Sequence, residues 1–328
     1  MKGIWGGLVL AAALLGLAAP LHAATKAEPP AVKKTAPKAG GKTAVKPKPK
    51  AKANTTKAAA GKPVRHATMV DNDPAHLALH SSSVLVLDQT TGQAIVEKQS
   101  GSVQPIASIT KLMTAMVVLD AGLDLYEVIS IGEEDVDSLK SSTSRLPVGT
   151  TMTRETAMLL ALMSSENRAA NALGRHYPGG LPAFVRAMNS KAAALGMYNS
   201  RFEEPTGLSS NNVSTAHDLA RMVAAAAHYP EIRHFSTTAE ARVELRGHIR
   251  DFVNTNTLVR SDNWEIGLSK TGYISEAGRC LVMQANVAGK PVVIVLLDSN
   301  GKMSRVGDAN RIKRWMESAS LVNARRSA

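Results

Sequence analysis

The segment 105-PIASITKLMTAMVVLDAGL-123 sets a serine, Ser108, three residues before a lysine, Lys111, where a nearly all-apolar helix begins. Residues at i and i+3 share a helix face, so hydroxyl and amine are neighbours. The placement opposes simple helix chemistry. A capping box asks for Glu or Gln at the third position, and a lysine there faces the positive end of the helix dipole. Ile109, Leu112, Met113, Met116, Val117, Val118 and Leu119 surround the helix, the pattern of a buried element. Burial and the dipole both disfavour the ammonium, so Lys111 is expected to be a neutral base. A neutral amine beside Ser108 takes the hydroxyl proton and makes the oxygen a nucleophile, a Ser–Lys alternative to a Ser–His–Asp triad. The competing account makes Ser108 an N-cap and Lys111 a solvated charge. It leaves the apolar surroundings of the lysine unexplained.

Ser-x-x-Lys alone is weak, and it recurs at Ser299–Lys302, where it follows a strand and reads as a turn. Its company matters more. At 165-SEN-167, after a helix rich in Leu and Met, Ser165 and Asn167 can face one cavity, although Ser-x-Asn also recurs at Ser209 and Ser210. On a predicted strand, 270-KTG-272 occurs once. His76 and His80 have a zinc-compatible spacing, but 76-HLALH-80 lacks the metalloprotease glutamate and leads into a strand, so no metal is expected. Phosphate-loop and dinucleotide signatures are absent, and no cofactor is expected.

These residues need a scaffold. Strands are predicted at 83–88 and 94–98, joined by the hairpin 89-QTTG-92, and again at 265–273, 279–287 and 291–298, with 288-AGK-290 as a tight turn. Between them lie helices: one ending at Gly122, one starting at Thr153, one from Pro182 to Leu195, and 216–228 behind a Thr215/Asp218 capping box. A last helix spans Gly307 to Ser318. The expected fold class is α+β: one antiparallel sheet built from both ends of the chain and flanked by helices, with a helical insertion over about residues 112–260.

Composition divides the 328 residues. Met1-Lys2, the apolar run Ile4–Leu17 and Leu21-His22-Ala23 predict a cleaved secretory signal over 1–23. Residues 24–66 are rich in Ala, Lys and Pro and predict a disordered linker. That linker holds eleven Lys, one Arg and one Glu, whereas residues 67–328 hold 26 basic and 26 acidic residues. The high pI therefore gives no argument for nucleic-acid binding by the folded part, and the tail allows at most weak contacts with anionic polymers. Cys280 is the single cysteine, so no internal disulfide forms. It reads as a small buried hydrophobe.

Ser108-x-x-Lys111, Ser165-x-Asn167 and Lys270-Thr271-Gly272, in that order, resemble the penicillin-recognising serine hydrolases. Over roughly 75–300 the chain is similar to low-molecular-weight penicillin-binding proteins of the D-alanyl-D-alanine carboxypeptidase/endopeptidase family, supported by 145-RLPVGTTMT-153 and 206-TGLSSNNVSTAHDLARM-222. The resemblance implies a β-lactamase/transpeptidase-like fold for residues 67–328. It makes Ser108 the acylated nucleophile and Lys111 its base. Ser165 relays protons, Asn167 holds the substrate amide, and Lys270 and Thr271 take a terminal carboxylate. The Ser108 and Tyr273 amides form the oxyanion hole. Gly272 is expected to let substrate backbone lie against the strand edge. Glu166 stands where such carboxypeptidases have glycine, and it either activates water, as in a β-lactamase, or pairs with Arg168 or another surface cation.

Only about 30 residues follow 291-PVVIVLLD-298, too few for the second all-β domain of those carboxypeptidases. With 162-LMSSENRAANAL-173, this looks more like the single-domain D,D-endopeptidase branch, which cuts D-alanyl cross-links of peptidoglycan. The implied partners are peptidoglycan stem peptides and β-lactams as covalent inhibitors, and the implied location is the periplasm. A D,D-carboxypeptidase, a β-lactamase and a non-catalytic wall-binding or β-lactam-sensing module are the alternatives.

Overall fold

The structure, a computed structural model, describes residues 73–327. The signal expected over 1–23 and the linker expected over 24–66 lie outside the described residues. β1 (Ser81–Asp88) and β2 (Ala94–Lys98) form the first hairpin, turned by Asp88, whose Oδ1 accepts from the Thr90 and Thr91 amides at 2.9 and 3.2 Å. The short strand β3 (Gln104–Pro105) and a 3₁₀ turn at Ala107–Ile109 lead into α1 (Thr110–Asp120). Next, β4 (Val128–Ser130) pairs with β5 (Thr151–Thr153), and Thr153 caps α2 (Arg154–Met163) by accepting from the Thr156 amide. α3 (Asn167–Arg175), α4 (Gly180–Ala194), β6 (Val213–Ser214) and α5 (Ala216–Ala226) follow. α6 (Pro230–Thr237) opens on a proline, which costs nothing where no amide is needed. The hairpin of β7 (Glu240–Leu245) and β8 (His248–Val253) precedes β9 (Glu265–Ile274), β10 (Gly278–Val287), β11 (Lys290–Ser299) and the long helix α7 (Ser304–Ser327).

The main sheet runs β2-β1-β11-β10-β9, with every pair antiparallel, so both ends of the domain meet in its middle. Side chains alternate across it. Val84, Val86, Leu281, Met283, Ile294 and Leu296 face Ala309, Ile312 and Met316 of α7. Leu85, Cys280, Val282, Val293, Val295 and Leu297 face the helical layer that holds Met113, Met116, Leu219 and Val223. Residues 110–118 of α1 are all buried, as the apolar ring around that helix requires. Cys280 is fully buried, and burial raises its thiol pKa to about 11, which makes it inert. Among the described residues, no helix is long and apolar enough to cross a membrane.

Three local expectations change, and the β7–β8 hairpin was not among the predicted elements. The insertion over 112–260 is not purely helical, because it contains β4 to β8. The β7–β8 turn uses Arg246 and Gly247 at φ +53° and +76°, a geometry usually announced by Asn-Gly or Asp-Gly. Only half of the Thr215/Asp218 box forms. Thr215 Oγ1 accepts from the Asp218 amide, but the Asp218 carboxylate turns to Asn199, Ser200 and Arg221. Finally, α4 begins at Gly180 and α7 spans Ser304–Ser327, both longer than apolar spacing suggested.

The turn before α1 is held by close backbone approach. Ala107 has φ +48°, a left-handed conformation that costs a non-glycine residue about 1–2 kcal/mol. Two glycines press on it. A Cβ on Gly272 of β9 would lie 2.9 Å from Ile106 O and 3.2 Å from Ser108 N. A Cβ on Gly207 (φ +84°) would lie 1.9 Å from Ala107 O, an impossible contact with backbone. Gly207→Ala is therefore expected to lower unfolding free energy in urea by more than about 2 kcal/mol, beyond backbone strain alone. Gly149→Ala is the control, at φ +80° with nothing within 4 Å, and should lose about 1 kcal/mol. Equal losses would show that the close approach to Ala107 is unimportant.

Candidate active site

A cavity of about 500 Å³ opens where the α1 turn, the α2–α3 junction and the end of β9 converge. Ser108, Ser165, Asn167, Thr271, Gly272 and Tyr273 line it, together with Ser142, Thr255 and Arg305. Six of the eight expected site residues thus share one wall, and the other two, Lys111 and Lys270, reach it through hydrogen bonds.

Lys111 is 1 % exposed, and its Nζ lies 2.8 Å from Ser108 Oγ, 2.7 Å from Asn167 Oδ1 and 2.6 Å from Thr206 O. The last two atoms can only accept. A neutral amine has two N–H groups and one lone pair, so when both N–H groups serve these oxygens the lone pair is left for the Ser108 hydroxyl. The amide orientation of Asn167 is consistent, because its Nδ2 donates to Ser142 Oγ at 3.0 Å. Lys270, also 1 % exposed, donates to Ser165 Oγ at 3.0 Å and Thr271 O at 2.8 Å. Thr271 Oγ1 donates to Thr255 Oγ1 at 2.6 Å. Ser165 sits at φ +62° in the short link between α2 and α3, which turns its hydroxyl away from either helix and towards β9.

Residues 68–301 match the family described as D-alanyl-D-alanine carboxypeptidase, peptidase family S11. The chain belongs to that family. A D-alanyl-D-alanine endopeptidase of Pseudomonas aeruginosa is 49% identical over 251 residues, covering 76% of this chain and 81% of the relative. One from Escherichia coli K12 is 46% identical over 244 residues, covering 74% and 79%. Among solved structures, the Streptomyces K15 DD-transpeptidase superposes with a TM-score of 0.68 at 27% identity, covering 73% of this chain and 98% of that one. Penicillin-binding protein D2 of Listeria monocytogenes, solved in its cefotaxime-bound form, gives 0.65 at 28% identity, also covering 73% and 98%. The fold is therefore that of the penicillin-binding D,D-peptidases.

In this S11 chain, burial is the chief cause of both lysine shifts. It lowers Lys111 from the ordinary 10.5 to about 7, opposed by the negative charges of Glu204 and Glu166. Lys270 is held well below its ordinary value by burial, then by the charges of Lys111 and Arg305. The repulsion between the two lysines is thus felt at Lys270, while carboxylates offset the burial of Lys111.

Three features correct or extend the sequence reading. Glu166, 5 % exposed, does not line the cavity: it accepts from Ser144 Oγ at 2.6 Å and Arg145 Nε at 3.0 Å. Arg168 donates to Leu146 O instead, so Arg145 is the pairing cation. Gly272 makes room for Ile106–Ser108 of this chain rather than only for a ligand. Glu204 is the residue that spacing missed. Its carboxylate accepts from the Thr206 amide and hydroxyl at 2.6 Å each, the Gly207 amide at 2.6 Å and Asn212 Nδ2 at 3.0 Å. That hub presents Thr206 O to Lys111. Pro205 and Gly207 beside it are turn-forming residues, but nothing along the chain marks Glu204 as the support of Lys111.

Arg305 of α7 was missed too. It donates to Gly272 O at 2.9 Å and Cys280 O at 3.2 Å and stands in the cavity wall. The preceding apolar spacing located α7 but gave no reason to aim one of its arginines at β9.

The depressed pKa of Lys111 has a stability consequence. An unfolded lysine titrates near 10.5 and the folded one near 7, so the unfolded chain binds more protons between those values. Burial of the ammonium therefore destabilises the fold fully below about pH 7, and the penalty fades as pH rises towards 10.5. Wild-type stability is expected to rise relative to Lys111→Met over that window, by on the order of 3–5 kcal/mol. Parallel urea titrations from pH 6 to 10 would measure it, and a constant difference would contradict the depressed pKa.

Proposed function

We propose that the chain is a periplasmic serine D,D-endopeptidase that cuts D-alanyl cross-links of peptidoglycan through an acyl-enzyme on Ser108. The observation that carries this reading is the Lys111 amine, 2.8 Å from Ser108 Oγ and with carbonyl oxygens as its other partners. The relatives named D-alanyl-D-alanine endopeptidase, at 46% and 49% identity, support the choice of bond. The leader-like residues 1–23 support export, and cross-linked wall lies outside the cytoplasmic membrane.

The chemistry follows from the groups in place. Neutral Lys111 takes the Ser108 proton as Oγ bonds to the D-alanine carbonyl carbon. Charge develops on the carbonyl oxygen, where the amides of Ser108 and Tyr273 donate. Asn167 holds the substrate amide, and Lys270, Thr271 and Arg305 take the carboxylate beside the scissile bond. The C–N bond then breaks, the departing amine receives a proton relayed through Ser165, and water hydrolyses the ester to free Ser108. A β-lactam carbonyl enters the same pathway and leaves its acyl group on Ser108. The β-lactamase alternative is disfavoured by Glu166, whose carboxylate is committed to Ser144 and Arg145 outside the cavity. D,D-carboxypeptidase action remains chemically close, since only the leaving amine differs.

Fluorescent penicillin is expected to label the wild-type protein covalently and to leave Ser108→Ala unlabelled. Digestion of cross-linked muropeptide dimers is expected to yield monomers that keep their terminal D-alanine. An adduct that persists in Ser108→Ala would remove the nucleophile assignment, and D-alanine release without monomer formation would move the reading to carboxypeptidase. Acylation should also depend on pH through Lys111: its rate falls about tenfold per unit below about 7 and levels off above, as the neutral amine becomes the dominant form. Stopped-flow labelling from pH 5 to 9 checks the sign. A rate that increases with acidity would exclude Lys111 as the base.

A further inference from the structure

A second guanidinium, close enough to Arg305 for its charge to be felt there, lies on β10 against the cavity-lining Tyr273. Among the described residues, the Arg279 side chain makes no hydrogen bond and no ion pair; its guanidinium carbon lies 4.4 Å from the centroid of the Tyr273 ring. Arg279 and Tyr273 are direct cross-strand partners in the β9–β10 register. Tyr273 lines the cavity and is 56 % exposed. The nearby carboxylate, Glu276, is taken by Lys140, another cavity-lining residue. The half-buried Arg279 has no carboxylate at ion-pair distance among the described residues, and it stands opposite Tyr273, the residue that follows the Lys270–Gly272 run.

A planar guanidinium lying on an aromatic face is fixed in orientation while its N–H edges stay free. That fork suits a carboxylate, which it can bind with two parallel hydrogen bonds. The mechanism above already uses one carboxylate, the one beside the scissile bond, at Lys270 and Thr271. A departing free D-alanine carries no other. A departing stem peptide does, because its own chain ends in a carboxylate further from the bond being cut.

We propose that Arg279, held against Tyr273, binds this second carboxylate of the leaving peptide and so favours cross-linked substrate over a monomeric D-alanyl-D-alanine terminus. The proposal deepens the endopeptidase reading and rests on it. Arg279 touches neither Ser108 nor Lys111, so its effect falls on recognition of the leaving peptide and not on attack.

Three reactions of wild type, Arg279→Gln and Arg279→Lys separate the possibilities: cleavage of a muropeptide dimer, D-alanine release from a monomeric pentapeptide, and acylation by fluorescent penicillin. Arg279→Gln should lower kcat/KM on the dimer about five- to tenfold, mainly through KM, as expected for one partly exposed charge pair. Pentapeptide turnover and penicillin acylation should stay within about twofold, which also shows that the variant is folded. Arg279→Lys should recover only part of the loss, since it keeps charge without the fork. Amidating the terminal carboxylate of the leaving peptide should cost wild type the same factor and leave Arg279→Gln unaffected. An unchanged variant on the dimer, or an equal loss on all three reactions, overturns the proposal alone. A wild-type protein that is acylated by penicillin yet leaves the dimer intact overturns the endopeptidase reading, and this proposal with it.

Discussion

An amine buried in an apolar helix layer is costly unless its protons have acceptors or its charge is lost. Lys111 meets both conditions at once. Thr206 O and Asn167 Oδ1 take its N–H groups, and burial lowers its pKa to about 7, so the neutral form is accessible. The arrangement around the site can be traced to that requirement. Asn167 begins α3, Thr206 O comes from a turn tied by Glu204, and Ser108 sits one helical turn before the lysine. Remove any of these and the amine either regains a proton it cannot solvate or loses its aim at the hydroxyl.

Glu204 shows how a charge acts without entering the cavity. Its carboxylate is consumed by hydrogen bonds from the Thr206–Gly207 backbone and from Asn212, whose Nδ2 also donates to Thr110 Oγ1 on α1. This one network therefore joins the 204–212 turn to the start of α1. It also sets a negative charge near Lys111, which raises the amine pKa against the effect of burial. The balance of burial against the Glu204 and Glu166 carboxylates leaves the Lys111 pKa at about 7, so both its charged and neutral forms are accessible near neutral pH. Lys270 is likewise lowered chiefly by burial, but its further causes are the like charges of Lys111 and Arg305 where Lys111 has the opposing charges of Glu204 and Glu166.

The legible part of this architecture was written in local patterns. The five sheet strands showed alternation or dense β-branched runs, and α1 showed an apolar ring that only burial explains. Ser108, Lys111, Ser165, Asn167 and Lys270 were legible because their types and spacing conflict with bland local roles, or because they recur in order. What escaped depends on distant contact. The β7–β8 strands are mostly exposed, so little apolar periodicity marks them, and their Arg-Gly turn is atypical. Arg305 is separated by 33 residues from the carbonyl it binds, and no pattern along the chain encodes that pairing. Gly207 and Gly272 look like ordinary turn and strand glycines until the Ile106–Ser108 backbone is seen against them.

β9 is the last strand of the sheet, and an edge strand presents unpaired backbone groups that attract other chains. Here the exposed edge is used selectively. At Ser269 it is covered: the amide donates to Ser236 Oγ of α6 at 3.3 Å, and the hydroxyl meets Asn256 Nδ2 at 2.8 Å. From Thr271 to Ser275 the same strand borders the cavity. That stretch lies beside Ser108, and an edge strand is a surface on which an extended peptide can align its backbone. Gly272 is pressed onto the α1 turn at the same point, so β9 and the turn that carries Ser108 cannot drift apart independently. The contact that shapes this edge of the cavity is in this way the contact that holds the Ser108 hydroxyl in place.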